Sequence, residues 1–283
     1  MKTGLFLIAA FGFLTQATAE VRVDVQQDVV YRTINGRQLL CDIYQPEGDQ
    51  LKPAILVVHG GAWRRGDRTQ LKGYADGLAK HGFVCFAIDY RLAPQHQFPA
   101  QIDDCRAAVK WIRANAKTYN VDPNRLGAIG YSAGGHLVTL LGTTGEAPSE
   151  QNDNVDTRLQ AVVAGGAPTD FRYFPDNGKW AEYLMGGDLT TASKNFLNAS
   201  AAAFADKDDA PTFFFNGKAD RLVPLIWTKS AHEALKQAGV HTEMHLIDGA
   251  GHMQAARNEE ALIKAYEFLT KHLLLEKREA AKR

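Results

Sequence analysis

The sequence predicts an α/β fold, a mostly parallel twisted sheet with helices on both faces. Two observations carry that reading. Continuous apolar runs such as Ala54-Ile55-Leu56-Val57-Val58 have the form of strands buried on both faces. Segments of helical period alternate with them through short connections, the pattern of parallel strands joined by crossover helices. The composition agrees: 283 residues, 45% hydrophobic and 23% charged, are ordinary for one large globular domain.

The elements follow in order. Residues 21–46 hold alternating and apolar runs around Asn35-Gly36, which predicts an antiparallel opening with a hairpin at that turn. A strand follows over 54–58, a helix over 70–80 and a strand over 83–88. A long helix fits 99–117, with Val109 and Ile112 on recurring faces. Then come a strand at 126–129, a helix at 135–142 and a strand at 161–165. The last third reads as strand (Thr212 to Phe215), helix (228–238), strand (243–247) and helix (256–273). Residues 166–210 lack a clean period and hold Phe171, Tyr173, Phe174, Trp180, Tyr183, Leu184 and Met185. They are expected to form a small cap-like insertion over the C-terminal edge of the sheet, where such folds bind ligands. Its aromatic residues either line a pocket or pack the insertion onto the body.

Residues 1–19 stand apart. Lys2 precedes an apolar run from Gly4 to Leu14, and Ala17-Thr18-Ala19 offers a small-residue cleavage pattern before Glu20. This reads as a secretory leader, too short to span a bilayer, so residues 20–283 are expected to be a single exported domain, periplasmic or secreted. No later stretch is apolar and long enough for a membrane span. Lys+Arg and Asp+Glu both number 32, so no basic excess points to nucleic acid. Cys41, Cys85 and Cys105 match no metal-site spacing, and buried free thiols are the expectation.

The strongest chemical signal is Gly130-Tyr131-Ser132-Ala133-Gly134, directly after a strand and opening a helix. In that context Gly-x-Ser-x-Gly forms a nucleophile elbow: a strained turn projects the Ser132 hydroxyl, and small flanking residues let neighbouring backbone approach. A second motif, His59-Gly60-Gly61-Ala62-Trp63, follows the 54–58 strand. Its glycines can turn backbone N–H groups inward, so Gly60, Gly61 and Ala133 are the expected oxyanion donors. His59 begins that loop and is read as structural. Trp63 and Tyr131 are expected pocket residues, with core packing the alternative for Trp63. Serine needs a base, and His252 lies in a glycine-rich loop after the last strand, at the edge where Ser132 emerges. Asp220, just past the 212–215 strand, is the expected orienter, with Asp248 and Asp170 as competing acids.

The order Ser132…Asp220…His252 is that of the α/β-hydrolase fold. With His59 to Trp63, Asp89-Tyr90-Arg91-Leu92-Ala93-Pro94, Phe98-Pro99, Asp220 to Pro224 and Gly251-His252, the chain resembles α/β-hydrolase carboxylesterases of the HGGxW type. It is similar to the bifunctional feruloyl and acetyl-xylan esterase group, and more distantly to hormone-sensitive-lipase-like esterases and kynurenine formamidases. The resemblance implies a serine esterase acting on short-chain or carbohydrate-linked esters through an acyl-enzyme, with no metal and no cofactor. Amide hydrolysis on the same triad is the alternative; a non-catalytic binding protein is disfavoured because every part of the machinery is present. The segment before the 54–58 strand is too short for the large helical cap of lipase-like relatives, which implies an open cleft. The run from Asp89 to Pro94 is expected to brace the oxyanion loop.

Overall fold

The computed structural model describes residues 21–146, 155–172 and 179–275. The expected leader, Tyr173 and Phe174 lie outside the described residues. β1 (Val23–Ile34) and β2 (Arg37–Pro46) form the opening hairpin. Asn35 and Gly36 both take positive φ, 49° and 76°, as a two-residue turn matched to strand twist requires. There follow β3 (Lys52–Val58), α1 (Lys72–Lys80), β4 (Val84–Ile88), α2 (Ala100–Ala114), β5 (Val121–Tyr131), α3 (Ala133–Thr143) and β6 (Ala161–Gly165). Two short helices, α4 (Lys179–Met185) and α5 (Ser193–Asn198), occupy the 166–210 stretch. β7 (Thr212–Gly217), α6 (Leu225–Gln237), β8 (Thr242–Ile247), α7 (His252–Ala255) and α8 (Glu259–Thr270) complete the chain.

The eight strands lie in the order β1-β2-β4-β3-β5-β6-β7-β8. Only the pairs involving β2 are antiparallel. Buried side chains alternate between two cores. Ala54, Leu56 and Val58 of β3 face the layer built by α2, α3 and α6. Ile55 and Val57 face α1 and α8. This period of two is why the run had to be apolar throughout. Cys41 and Cys105 sit in the first core and Cys85 in the second, and all three thiols are buried and free. No helix among the described residues is long and apolar enough to cross a membrane.

The boundaries shift for local reasons. The expected helix over 256–273 begins later, at Glu259, because the Asn258 side chain accepts from the Ala261 amide at 2.9 Å and caps α8. The 126–129 strand extends to 121–131, since Val121 pairs with Lys52 and Tyr131 with Gly165. α6 begins at Leu225, directly behind Pro224. The parallel strands β3, β5, β7 and β8 all end at one edge, so residues 59–63, 132, 220 and 252 emerge together.

Candidate active site

Ser132 links β5 to α3 with φ 57° and ψ −121°, a backbone strain on the order of 1–3 kcal/mol for a residue with a Cβ. The surroundings enforce it. The Ser132 amide donates to the Gly165 carbonyl at 2.8 Å. A Cβ on Gly130 would overlap the backbone of Gly134, and one on Gly134 would overlap the Val58 carbonyl oxygen. The elbow is therefore wedged against the end of β3 and can form only with glycine on both sides.

His252 opens α7 at the same edge. Its Nδ1 lies 2.6 Å from Asp220 Oδ2, and the Asp220 side chain is fully buried. The other carboxylate oxygen accepts from the amides of Leu222 at 2.9 Å and Val223 at 2.8 Å. Asp220 is thus held at both oxygens and keeps the proton of the imidazole on Nδ1, leaving Nε2 as acceptor. The competing acids stand elsewhere. Asp248 is 85% exposed and pairs with Lys218, whereas Asp170 pairs with Arg172. Ser132 and His252 line one cavity of about 640 Å³, with Gly60, Gly61 and Arg257 also on its wall. A second lobe of about 240 Å³ holds Ser132, Ala133, Trp63, Pro168, Tyr183 and Val223. The lobes share Ala62, Arg65, Ser132 and Leu222, so they meet at the serine.

The loop after β3 shows how backbone donors are aimed. Five consecutive carbonyls are tied to the protein. Those of His59 and Gly60 accept from the Tyr90 hydroxyl at 3.1 and 3.3 Å, and Gly60 also from His59 Nδ1 at 2.7 Å. The Gly61 carbonyl accepts from the amides of Arg64 and Arg65. The Ala62 carbonyl accepts from the Tyr183 hydroxyl, and the Trp63 carbonyl from the Ala93 amide. In a trans peptide the following N–H points opposite the carbonyl. The amides of Gly61 and Ala62 therefore turn away from these anchors, and neither meets an acceptor among the described residues. The conformation needs positive φ at Gly61 (103°), Ala62 (52°) and Trp63 (57°).

Two expectations change, and one holds. Gly60 is not a free donor: its amide is spent on Gln70 Oε1 at 2.7 Å. Tyr131 lines neither lobe; its ring lies against Phe215 and His252, and its hydroxyl donates to the His252 carbonyl, bracing the base. Trp63 borders the smaller lobe as expected and, 1% exposed, is also packed in the core. Its ring packs edge-on to His136 and Phe171, and its Nε1 donates to His136 Nδ1 at 3.1 Å. His136 Nε2 in turn faces the Ala199 carbonyl at 2.7 Å, which fixes the neutral Nε2–H tautomer. Burial pushes the His136 pKa down to about 4.

His59 does the structural work assigned to it. It stacks on Tyr90 at 4.1 Å, and burial lowers its pKa. The Asp89–Pro94 run braces the loop through Tyr90, Ala93 and Asp89, the last of which holds Arg68. The aromatic residues of the 166–210 stretch divide. Tyr183 lines a lobe, while Phe171, Leu184 and Met185 are buried in the core. Gln70 and Arg257 were not picked out from the sequence; they reach the site only through chain folding, and no local motif marks them, whereas Leu222 lies within the Asp220–Pro224 motif.

A Gly-x-Ser-x-Gly elbow on a sheet of this order, with an Asp-His pair at the same edge, defines an α/β-hydrolase. A family model matches residues 41–235, and the chain belongs to that family, BD-FAE. It is 32% identical over 227 residues to Esterase LipC of Mycobacterium tuberculosis, covering 75% of this chain and 56% of LipC. The chain spans about half the length of the curated relatives it matches. Among solved structures it resembles a truncated carbohydrate esterase from gut microbiota, with a TM-score of 0.79 and 25% identity over 90% of this chain and 98% of that one. A thermophilic esterase of Thermogutta terrifontis, solved with propionate bound, superposes with a TM-score of 0.73. It is 25% identical, covering 89% of this chain and 94% of that one.

Proposed function

We propose that this chain is an exported serine carboxylic-ester hydrolase, acting on short-chain or carbohydrate-linked esters such as acetyl and feruloyl esters. The observation that carries the reading is that His252, held at 2.6 Å by the buried Asp220, lines the same cavity that Ser132 enters from its strained elbow. The Ser132 hydroxyl attacks the ester carbonyl while His252 Nε2 takes its proton. The tetrahedral oxyanion is met by the amides of Gly61, Ala62 and Ala133, each on the order of 3–4 kcal/mol of barrier. Collapse breaks the bond to the alcohol, which leaves with the proton returned by His252, and the acyl group stays on Ser132. Water then attacks that acyl group, giving its proton to His252. The second collapse returns this proton to Ser132 and releases the acid.

The two lobes take different parts of the substrate. The departing alcohol must receive its proton from His252, so it lies in the larger lobe, which His252 lines. The acyl group takes the smaller, mostly apolar lobe between Trp63, Pro168, Tyr183 and Val223. A volume of about 240 Å³ suits short acyl chains, and the broader lobe suits a sugar. The carbohydrate esterase and the propionate-bound esterase among the structural neighbours support short-chain and carbohydrate esters as the substrate class.

The test is Ser132→Ala, assayed on p-nitrophenyl acetate and with a fluorophosphonate probe. Turnover should fall by about 10⁶-fold and labelling should vanish, with the circular dichroism unchanged. Labelling retained in the variant would remove Ser132 from the nucleophile role.

A further inference from the structure

The walls of the active-site cleft carry a charge pattern that ester hydrolysis itself does not need. Arg65 borders both lobes and Arg257 borders the larger, while among the described residues no Asp or Glu lines either. Both arginines are exposed, and neither has a carboxylate partner among the described residues. Most of the acids close to them in the chain or in the site are engaged elsewhere, and Glu259, two residues from Arg257, is exposed at the start of α8 and lines neither lobe. Asp67 accepts from the Thr69 amide at 2.8 Å and its hydroxyl at 2.6 Å. Glu260 holds Lys264, Asp170 holds Arg172 and Asp220 holds His252. Elsewhere the arginines that pack on the body are neutralised, as Arg68 is by Asp42 and Asp89, and Arg91 by Asp104. The pattern does not follow from overall charge, which is formally zero. Two unpaired guanidinium groups beside a concave site in a neutral protein make a local positive field, and the planar fork of arginine suits a carboxylate.

We propose that the larger lobe selects esters whose alcohol part bears a carboxylate, with Arg65 and Arg257 as its receptors; an acidic sugar unit has this chemistry. The inference rests on the ester-hydrolase reading and on the placement of the alcohol beside His252. Arg64 is excluded from the role because its guanidinium lies over the Tyr183 ring at 5.3 Å, on the wall of the acyl lobe.

The test compares an acetylated methyl glucuronoside with its uronamide, which differ in charge and little else. p-Nitrophenyl acetate serves as a neutral reference for the chemical step. For the full chain at low salt, kcat/KM should favour the uronate by about tenfold, and 0.5 M NaCl should erase most of that preference because the groups are exposed. Arg65→Gln and Arg257→Gln should each reduce the ratio to about threefold or less, whereas Arg64→Gln should leave it in place. A wild-type ratio of one or below overturns the proposal, as does a ratio unmoved by both substitutions. Turnover of p-nitrophenyl acetate with neither sugar ester cleaved also overturns it. Absence of turnover on all three substrates would instead remove the hydrolase reading beneath it.

Discussion

Acidification should weaken the fold through His136, and the size of the effect follows from its surroundings. The ring is wholly buried, accepts from Trp63 and donates to the Ala199 carbonyl, so the native state holds it neutral, with a pKa down at about 4 against an ordinary 6.5. In the unfolded chain it titrates normally. Between those two values the unfolded state binds the extra proton, so stability falls as pH falls. Above about pH 6.5 both states are neutral and the group contributes nothing to the slope; below about pH 4 the loss is complete. Going from pH 7 to pH 5 should cost about 2 kcal/mol from this residue alone. The assay is equilibrium guanidinium unfolding at the two pH values, for the wild type and for His136→Gln. The glutamine amide can still accept from Trp63 and donate to Ala199, but it does not titrate. The variant should therefore lose about 2 kcal/mol less over the same interval. His59, also lowered by burial, and the other histidines stay in both proteins, so they cancel in the comparison. An equal pH 7-to-5 loss in the two proteins would refute the argument, because it would mean that His136 is no more neutral in the native state than in the unfolded one.

Two further outcomes are expected. Asp220→Asn should lower kcat on p-nitrophenyl acetate by about 10⁴-fold near pH 7, because the amide can present N–H to Nδ1 and favour the wrong tautomer, whereas Asp248→Asn, at an exposed acid paired with Lys218, should stay within about twofold. Expression of the full sequence in a host with an intact secretion system should yield an exported protein whose N-terminal sequencing begins at Glu20; a mature chain still carrying Lys2 would refute the leader reading.

What could be read from the sequence is what depends on neighbours in the chain. The elbow was visible because its cause is local: a strand, a serine that must take positive φ, and glycines placed where the backbone closes on itself. Asp220 and His252 were visible because a parallel sheet brings every strand end to one edge, so a loop position after a strand is also a position in space. Gly60 was misassigned for the opposite reason. Its amide is taken by Gln70, which lies across the loop, and nothing in the run His59 to Trp63 reports that contact. Tyr131 looked like a pocket residue from its place beside Ser132, but its hydroxyl reaches a carbonyl 121 residues away. The 166–210 stretch gave no clean period because its two helices are six and seven residues long and held by packing, too short for periodicity to register.

That stretch does more than line the smaller lobe through Pro168 and Tyr183. Ala62, Trp63 and Ser132 together hold on the order of 3–9 kcal/mol of backbone strain, which would relax unless the surroundings fixed each peptide. Two of the fixing contacts come from the insertion. The Tyr183 hydroxyl holds the Ala62 carbonyl, and the Ala199 carbonyl holds His136, which in turn holds Trp63. The loop that aims the amides of Gly61 and Ala62 is therefore gripped from below by Tyr90 and from above by the insertion. Donors that are already oriented need no reorganisation when negative charge forms on the substrate, and that is where such a site gains its rate. The insertion and the oxyanion loop thus form one mechanical unit. Tyr183→Phe, which removes the hydroxyl that holds the Ala62 carbonyl, should therefore lower kcat on p-nitrophenyl acetate.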